Sequence, residues 1–309
     1  MRIKFVFFIL LGLLSLSYAG GNGGFGGAFL RLGLGARAIS MGNAQVATAD
    51  HGFGFYYNPA AAPYLEKFSA NISYDFLSLD RRYAFIGMSS PKKPNGGLSL
   101  GLIYSGVKDI QGYNSNGEKT DKIKHGLYAV YFSVGLMIKP NRLSIGISAK
   151  YLREDISDPD FNYDGKGFAA DLGVMFKVNS RLSLGYQIKD INGKLKSNTN
   201  EIFERGMEKD NEFPVSHRIG FYYHTPLDWI RTAYDLEWST AGQEKNHLGF
   251  EFIGPGVSGR IGYDSNHFTF GGGLDFDRFK KFRATLNYAF VSSVIDEGSS
   301  HIFSWEFVF

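Results

Sequence analysis

The run Leu143-Ser144-Ile145-Gly146-Ile147-Ser148-Ala149-Lys150-Tyr151 puts apolar residues on the odd numbers and Ser, Gly and Lys on the even ones. Successive side chains of a strand point to opposite faces, so a period of two describes a strand with one oily and one polar face. The pattern spreads both ways from here. Upstream, Phe68, Ala70, Ile72, Tyr74 and Phe76 alternate with Ser69, Asn71, Ser73 and Asp75. At the end, His301, Phe303, Trp305, Phe307 and Phe309 alternate with Ser304 and Glu306. Fourteen strands are predicted, at 68–77, 82–90, 97–105, 125–138, 142–152, 166–178, 181–189, 213–224, 229–238, 246–253, 257–264, 267–277, 281–292 and 301–309. A tilted strand crosses the hydrocarbon of a bilayer in about 9–11 residues, and most of these segments have or approach that length.

Two features favour a transmembrane antiparallel β-barrel over a soluble sandwich. The polar parity carries Ser, Gly and Ala with few Lys or Glu, whereas the other parity is dense in Phe, Tyr, Leu and Trp. The connections also sort by parity. After even segments they are tight: 91–96 with two prolines, Pro140-Asn141, Asn179-Ser180, Pro226-Leu227-Asp228 and Gly254-Pro255-Gly256. After odd segments several are long and polar, at 106–124, 153–165 and 190–212. Tight periplasmic turns and longer outer loops are the asymmetry of outer-membrane barrels. An even strand number then puts both ends of the wall at the periplasmic rim.

Composition agrees. The 309 residues include 39 glycines, against roughly 7% in an average protein, and 16% aromatics. No cysteine is present, so neither disulfides nor thiol chemistry enter. Arg2 and Lys4, the apolar run Phe5–Leu16 and Ser17-Tyr18-Ala19 read as a secretory signal peptide cleaved after Ala19. Removing it leaves 31 basic against 30 acidic residues, a balance that argues against nucleic acid as a partner. The chain is thus read as a signal peptide (1–19), an N-terminal plug, or hatch, segment in the lumen (20–67) and the barrel (68–309), located in a bacterial outer membrane with its lipid as surroundings.

Within the plug segment stand Phe29-Leu30, Gly35-Ala36-Arg37-Ala38, Met41-Gly42, Ala44, Val46-Ala47 and, last, Tyr57-Asn58-Pro59-Ala60. This series resembles the PorV/PorQ family, within the FadL-like outer-membrane proteins, whose pattern is an FL segment, a GARA-MG segment and an NPA before the first strand. The resemblance by motif covers 29–60; it departs after NPA, where Ala61-Ala62-Pro63 replaces the usual Gly or Ala then Leu. It implies a fourteen-stranded barrel with an N-terminal hatch. It also implies one of two roles: a component of type IX-like secretion that binds exported proteins, or a channel for hydrophobic small molecules. The final strand, with Trp305, Phe307 and Phe309, looks like the signal read by the barrel-assembly machinery.

The residues of this segment also have a physical reading. Gly33, Gly35 and Gly42 permit positive φ and close approach. Arg37, among small residues, needs a buried acidic or carbonyl partner. Asn58 before Pro59 is biased to extended backbone, with a side chain suited to bonding nearby main chain. Seven strands place a glycine inward about four residues from a periplasmic turn: Gly101, Gly135, Gly146, Gly173, Gly185, Gly220 and Gly249. Such a belt either makes room for 29–60 or relaxes the curvature of the wall. Inward charges of both signs (Lys150, Asp171, Arg218, Arg231, Asp235, Glu251, Arg260 and Glu306) are expected to pair across strands or to the plug.

Catalytic and metal motifs fail their context. Gly21, Gly23 and Gly26 satisfy G-x-G-x-x-G but follow no strand. Asp160, Asn162, Asp164, Gly165 and Asp171 copy calcium-loop spacing without flanking helices; an acidic outer loop is the better reading. The seven histidines show no metal spacing, and no G-x-S-x-G elbow is present. No enzyme activity, cofactor or metal is expected. The strongly polar 106–124 tilts the choice of role towards a protein partner.

Overall fold

The computed structural model describes residues 22, 24–49, 51–78, 80–157, 162–198, 208–276, 282–292 and 298–309. The export signal read at 1–19 lies outside them. Fifteen strands follow in chain order. They are β1 Ser69–Phe76, β2 Arg81–Lys92, β3 Gly96–Tyr113, β4 Lys119–Lys139, β5 Leu143–Ser157, β6 Asn162–Lys177, β7 Leu182–Asn198 and β8 Glu208–Glu212. The rest are β9 Ser216–His224, β10 Ile230–Ser239, β11 Glu244–Gly254, β12 Val257–Asp264, β13 His267–Phe276, β14 Arg283–Val291 and β15 Ser300–Val308. Each wall strand pairs antiparallel with its neighbours, β7 pairs with both β6 and β9, and β1 pairs with β15. The ladder therefore closes on fourteen strands, while β8 hangs on the far end of β7. Each of the fourteen predicted segments coincides with a wall strand.

Side-chain direction follows the predicted parity. Ile72, Ile86, Leu100, Phe132, Ile147, Leu172, Phe270 and Trp305 face outward and exposed, whereas Ser73, Ser99, Ser133, Ser148, Asp171 and Ser304 face inward and buried. Each large apolar side chain left in water forfeits about 1.5–3 kcal/mol. An exposed band of this kind around a closed wall is the lipid-facing surface of a membrane barrel. Among the described residues no helix is long and apolar enough to cross a membrane.

The wall is uneven in height, and here the predicted loops need correction. β3 to β7 run 18, 21, 15, 16 and 17 residues, against 8–12 for the other wall strands. Much of 106–124, 153–165 and 190–212, expected as loops, is paired strand rising beyond the apolar band. Where both faces meet water, both can be polar. Alternation then fades while main-chain pairing continues, so periodicity alone ends these strands too soon.

Leu102 faces outward within the apolar band and Tyr113 lies at the raised end of β3. Leu100→Arg, one outward row deeper in the band than Leu102, is expected to reduce the stability of the barrel in phospholipid vesicles by about 2–4 kcal/mol, and Tyr113→Arg by roughly 0–1 kcal/mol. Urea titration followed by the heat-dependent gel shift of folded barrels measures both.

Candidate functional site

The chain that precedes β1 lies against inward-facing residues of the wall strands. At the rim opposite the strand termini, Ser239 Oγ donates to Asn22 Oδ1 at 2.7 Å and Gly26 N–H to Glu212 O at 3.0 Å. The segment then makes short helical turns at Ala28–Arg31, Ala36–Ser40, Gly54–Tyr57 and Pro59–Tyr64 before joining β1. It runs from the outer rim to the periplasmic one. Glycines end the first two, since Gly33, Gly35 and Gly42 all take positive φ, which other residues adopt only at a cost, and Asn58-Pro59 divides the last two.

Six glycines of the predicted belt lie directly against this segment. A Cβ on Gly146 would stand 2.4 Å from Pro59 C, on Gly173 2.1 Å from Asn58 Oδ1, on Gly185 2.1 Å from Val46 O and on Gly249 2.5 Å from Met41 O. On Gly135 and Gly101 it would meet Pro63 at 2.6 Å and the Phe55 ring at 2.9 Å. Gly220 differs: the Asp235 carboxylate of the next strand folds over it at 2.1 Å. That carboxylate is reaching inward to accept from Gln45 N at 2.8 Å and Val46 N at 2.9 Å. Gly97, Gly262 and Gly271 complete the close approach against Ala62, Gly42 and Ser40. The prediction missed them although all three sit on the inward parity.

Asn58 ties the segment to β6. Its backbone is extended, at φ −162° and ψ 112°. Its Oδ1 caps Ala60 N at 3.0 Å, and its Nδ2 donates to Val46 O at 2.8 Å and to Val174 O of β6 at 3.0 Å. One side chain thus ties two turns of the segment to the wall. Wall hydroxyls do the same work elsewhere: Ser144 donates to Ala60 O, Ser89 to Gly52 O, and Ser304 accepts from Ala36 N. Glu306 accepts from Gly52 N at 2.7 Å.

The β9–β13 side of the lumen is ionic. Arg37 reaches Glu251 through Nε at 3.0 Å and Nη2 at 2.9 Å, and Glu251 is shared with Arg260 at 2.8 Å and Arg231 at 3.7 Å. Arg218 pairs with Glu237 and donates to Asn43 O at 3.0 Å. His247, set aside in the sequence as unmarked, lies between Asp264 at 3.1 Å and Glu237 at 3.4 Å, and contacts Gly42 O. Lys150, Asp171 and Asp190 form a further buried group on β5–β7. Asp190, just past the predicted end of its strand, turns inward at a bulge with φ 62°, the usual way a bulge re-aims a side chain. Of the calcium-spaced residues, Asp160 lies outside the described residues, Asp164 pairs with Lys166 and Asp171 with Lys150.

Beside that β5–β7 ionic group, the β2–β7 side carries the largest apolar cluster. Phe29, Leu30 and Phe55 of the segment join Phe85, Tyr131, Leu152, Leu195 and Phe213 in one buried cluster. Tyr56 and Tyr57 sit at its border, donating to Leu30 O at 2.6 Å and Leu34 O at 3.1 Å. Burial raises both phenols well above their ordinary pKa, so they stay neutral donors. At either end a vestibule opens. The outer one, of 470 Å³, includes Leu32, Asp75, Arg81 and Lys245; the periplasmic one, of 490 Å³, includes Tyr64, Lys177, His224 and Glu306. Between them a 20 Å³ polar cavity beside Tyr57, Lys189 and Arg218 has room for about one water.

No family model matches the chain, and no curated protein matches it. Solved structures do. A Pseudomonas aeruginosa FadL homologue superimposes with a TM-score of 0.66 at 10% identity, over 94% of this chain and 99% of that one. The P. putida toluene transporter TodX gives 0.62 at 13%, over 89% and 98%, and the CymD monoaromatic hydrocarbon channel 0.61 at 13%, over 89% and 96%. At such identity the likeness is one of fold: the chain has the FadL-like barrel architecture.

Two variants test the docking of the segment. Gly146→Val drives a side chain into Pro59 and is expected to cost about 1–3 kcal/mol and to expose 28–64 to added protease in an otherwise folded barrel. Glu251→Ala, which removes a carboxylate shared by three guanidinium groups, is expected to cost about 3–5 kcal/mol. Combining it with Arg37→Met should cost less than the sum of the two, as urea titration of the double-mutant cycle would read.

Proposed function

We propose that the chain is an outer-membrane channel that passes small hydrophobic molecules between its two vestibules, along the apolar side of the lumen. The observation carrying this reading is the continuous aromatic and aliphatic column from Phe213 and Leu195 at the raised wall, through Phe29 and Leu30, to Phe55 beside Gly101. A wall that needed only to be stable could be lined by small polar residues throughout, as β1 is by Ser69, Asn71, Ser73 and Asp75. Burying about 150 Å² of a small aromatic there would contribute about 4 kcal/mol, enough to draw it from water without trapping it. The fold neighbours that are hydrocarbon channels support the same class of solute. Passage requires Phe29, Leu30 and Phe55 to shift. Arg37, Met41, Gly42 and Asn58 hold the far side of the segment while they do, in this reading. Export through the signal at 1–19, and recognition of Trp305, Phe307 and Phe309 by the assembly machinery, complete it.

A secretion partner that grips exported proteins is the second reading. It is favoured by the raised polar ends of β3–β7, which offer a surface beyond the membrane, and by the PorV/PorQ-like motifs of 29–60. Uptake of a labelled monoaromatic hydrocarbon by cells with an intact outer membrane separates the two. Expression should raise uptake several-fold, with Phe55→Asp returning it to the vector level and Phe55→Leu preserving it. Uptake at vector level for the unaltered chain, with exported proteins crosslinking at Asn114 or Asn116, would transfer the conclusion to the second reading.

A further inference from the structure

On the outward face of β3, β4 and β5 the apolar band ends at the row Leu102, Val130 and Tyr151, which are register partners. The next outward row is Tyr104, Tyr128 and Arg153, and the one above it is Gly106, Gly126 and Asp155. The Tyr104 and Tyr128 rings lie 5.1 Å apart, and the Tyr104 hydroxyl leans up to within 2.4 Å of where a Gly106 Cβ would stand. Lys108, placed by the bulge that follows Val107, and Lys124 stand above the glycines. The result is a 280 Å³ hollow with Gly126 in its floor, a tyrosine lower lip and cations on its upper and lateral edges. Asp155, the acidic residue lining it, pairs with Arg153 at 2.9 Å.

We propose that this hollow seats the phosphorylated headgroup of an outer-leaflet lipid, whose acyl chains lie down the wall over Leu102, Val130 and Tyr151. Three elements converge on that occupant. The hollow sits where the lipid-facing band stops, at the height of headgroups. Amines and a guanidinium surround it, and these are the groups that bind phosphate oxygens. The two tyrosines present an apolar ring to the chains and a hydroxyl to the polar boundary, as interfacial tyrosines do. Gly106 gives its space to the Tyr104 hydroxyl, while Gly126 leaves its own to the hollow. The placement in the outer leaflet rests on the outer-membrane reading above.

The test uses the full chain, folded in dodecyl maltoside, with purified lipid A (a bis-phosphorylated glucosamine lipid) and, separately, zwitterionic phosphatidylethanolamine, read by native mass spectrometry. Lipid A should bind and phosphatidylethanolamine should not. Lys108→Gln with Lys124→Gln should weaken lipid A binding on the order of 30-fold, taking about five-fold per cation near a membrane surface. Lys92→Gln with Lys93→Gln, at the opposite rim, should leave it unchanged. Gly126→Leu fills the hollow without altering charge and should weaken binding as well. Undiminished binding by the double lysine variant, equal binding of phosphatidylethanolamine, or displacement by millimolar inorganic phosphate would overturn the proposal. Each variant is first shown to be folded by its heat-dependent gel shift. A chain that never folds in detergent refutes the membrane reading itself, whereas a folded one indifferent to lipid A refutes only this site.

Discussion

A closed ring of main-chain hydrogen bonds is the constraint on which everything else in this molecule depends. At membrane depth no water is available to an open strand edge, so the pairing of β1 with β15 and of β6 with β7 is obligatory. Closure creates an interior, and that interior must be filled or wetted. The segment 28–64 packs there, and its irregular backbone is tolerated because the wall side chains of Asp235, Ser144 and Glu306 accept from it or donate to it, while its own Asn58 donates to Val174 O of the wall. Small inward residues follow from the same demand. Where the enclosed polypeptide's main chain presses closest, as against Gly146, Gly173 and Gly185, the wall carries glycine.

The filling is lopsided, and the two sides suit different tasks. On the β9–β13 side, carboxylates and guanidiniums anchor the turn at 41–46 by charge-assisted bonds with fixed geometry. On the β2–β7 side, hydrogen bonds from Ser89 and Ser144 and to Val174 hold 52–60, while Phe29, Leu30 and Phe55 make contact chiefly through rings and aliphatic chains, whose attraction has little directional preference. A ring can slide past another ring at small cost, whereas a shared carboxylate cannot release one guanidinium without leaving charge uncompensated. The segment is therefore held like a door, with the ionic side as hinge post and the apolar side as the edge that gives.

Much of this was legible in the chain before its structure. Alternation named all fourteen wall strands, because every one of them meets lipid on one face and a filled lumen on the other. The need of Arg37 for an acid was readable from its small neighbours, and Glu251 supplies it. Alternation misjudged the heights of β3–β7, since a strand wet on both faces loses its period while keeping its hydrogen bonds. It missed Asp190 for a related reason: a bulge shifts the parity, and no residue pattern announces a bulge in advance. His247 went unmarked because its partners Glu237 and Asp264 come from neighbouring strands, a juxtaposition that only the register of the sheet creates.

The path of the enclosed segment bears on how the molecule can be put together. Its contacts fall on β2, β5, β6, β7, β10, β11 and β15, strands from every part of the circumference, so no partial sheet offers more than a fraction of them. Yet it lies across the whole depth of the lumen and joins β1 beside the last residue, where Phe309 N–H meets Phe68 O. A finished ring could admit it only by threading. The first-made part of the chain must then wait inside a growing curl of sheet, and the seam between first and last strands must zip up around it.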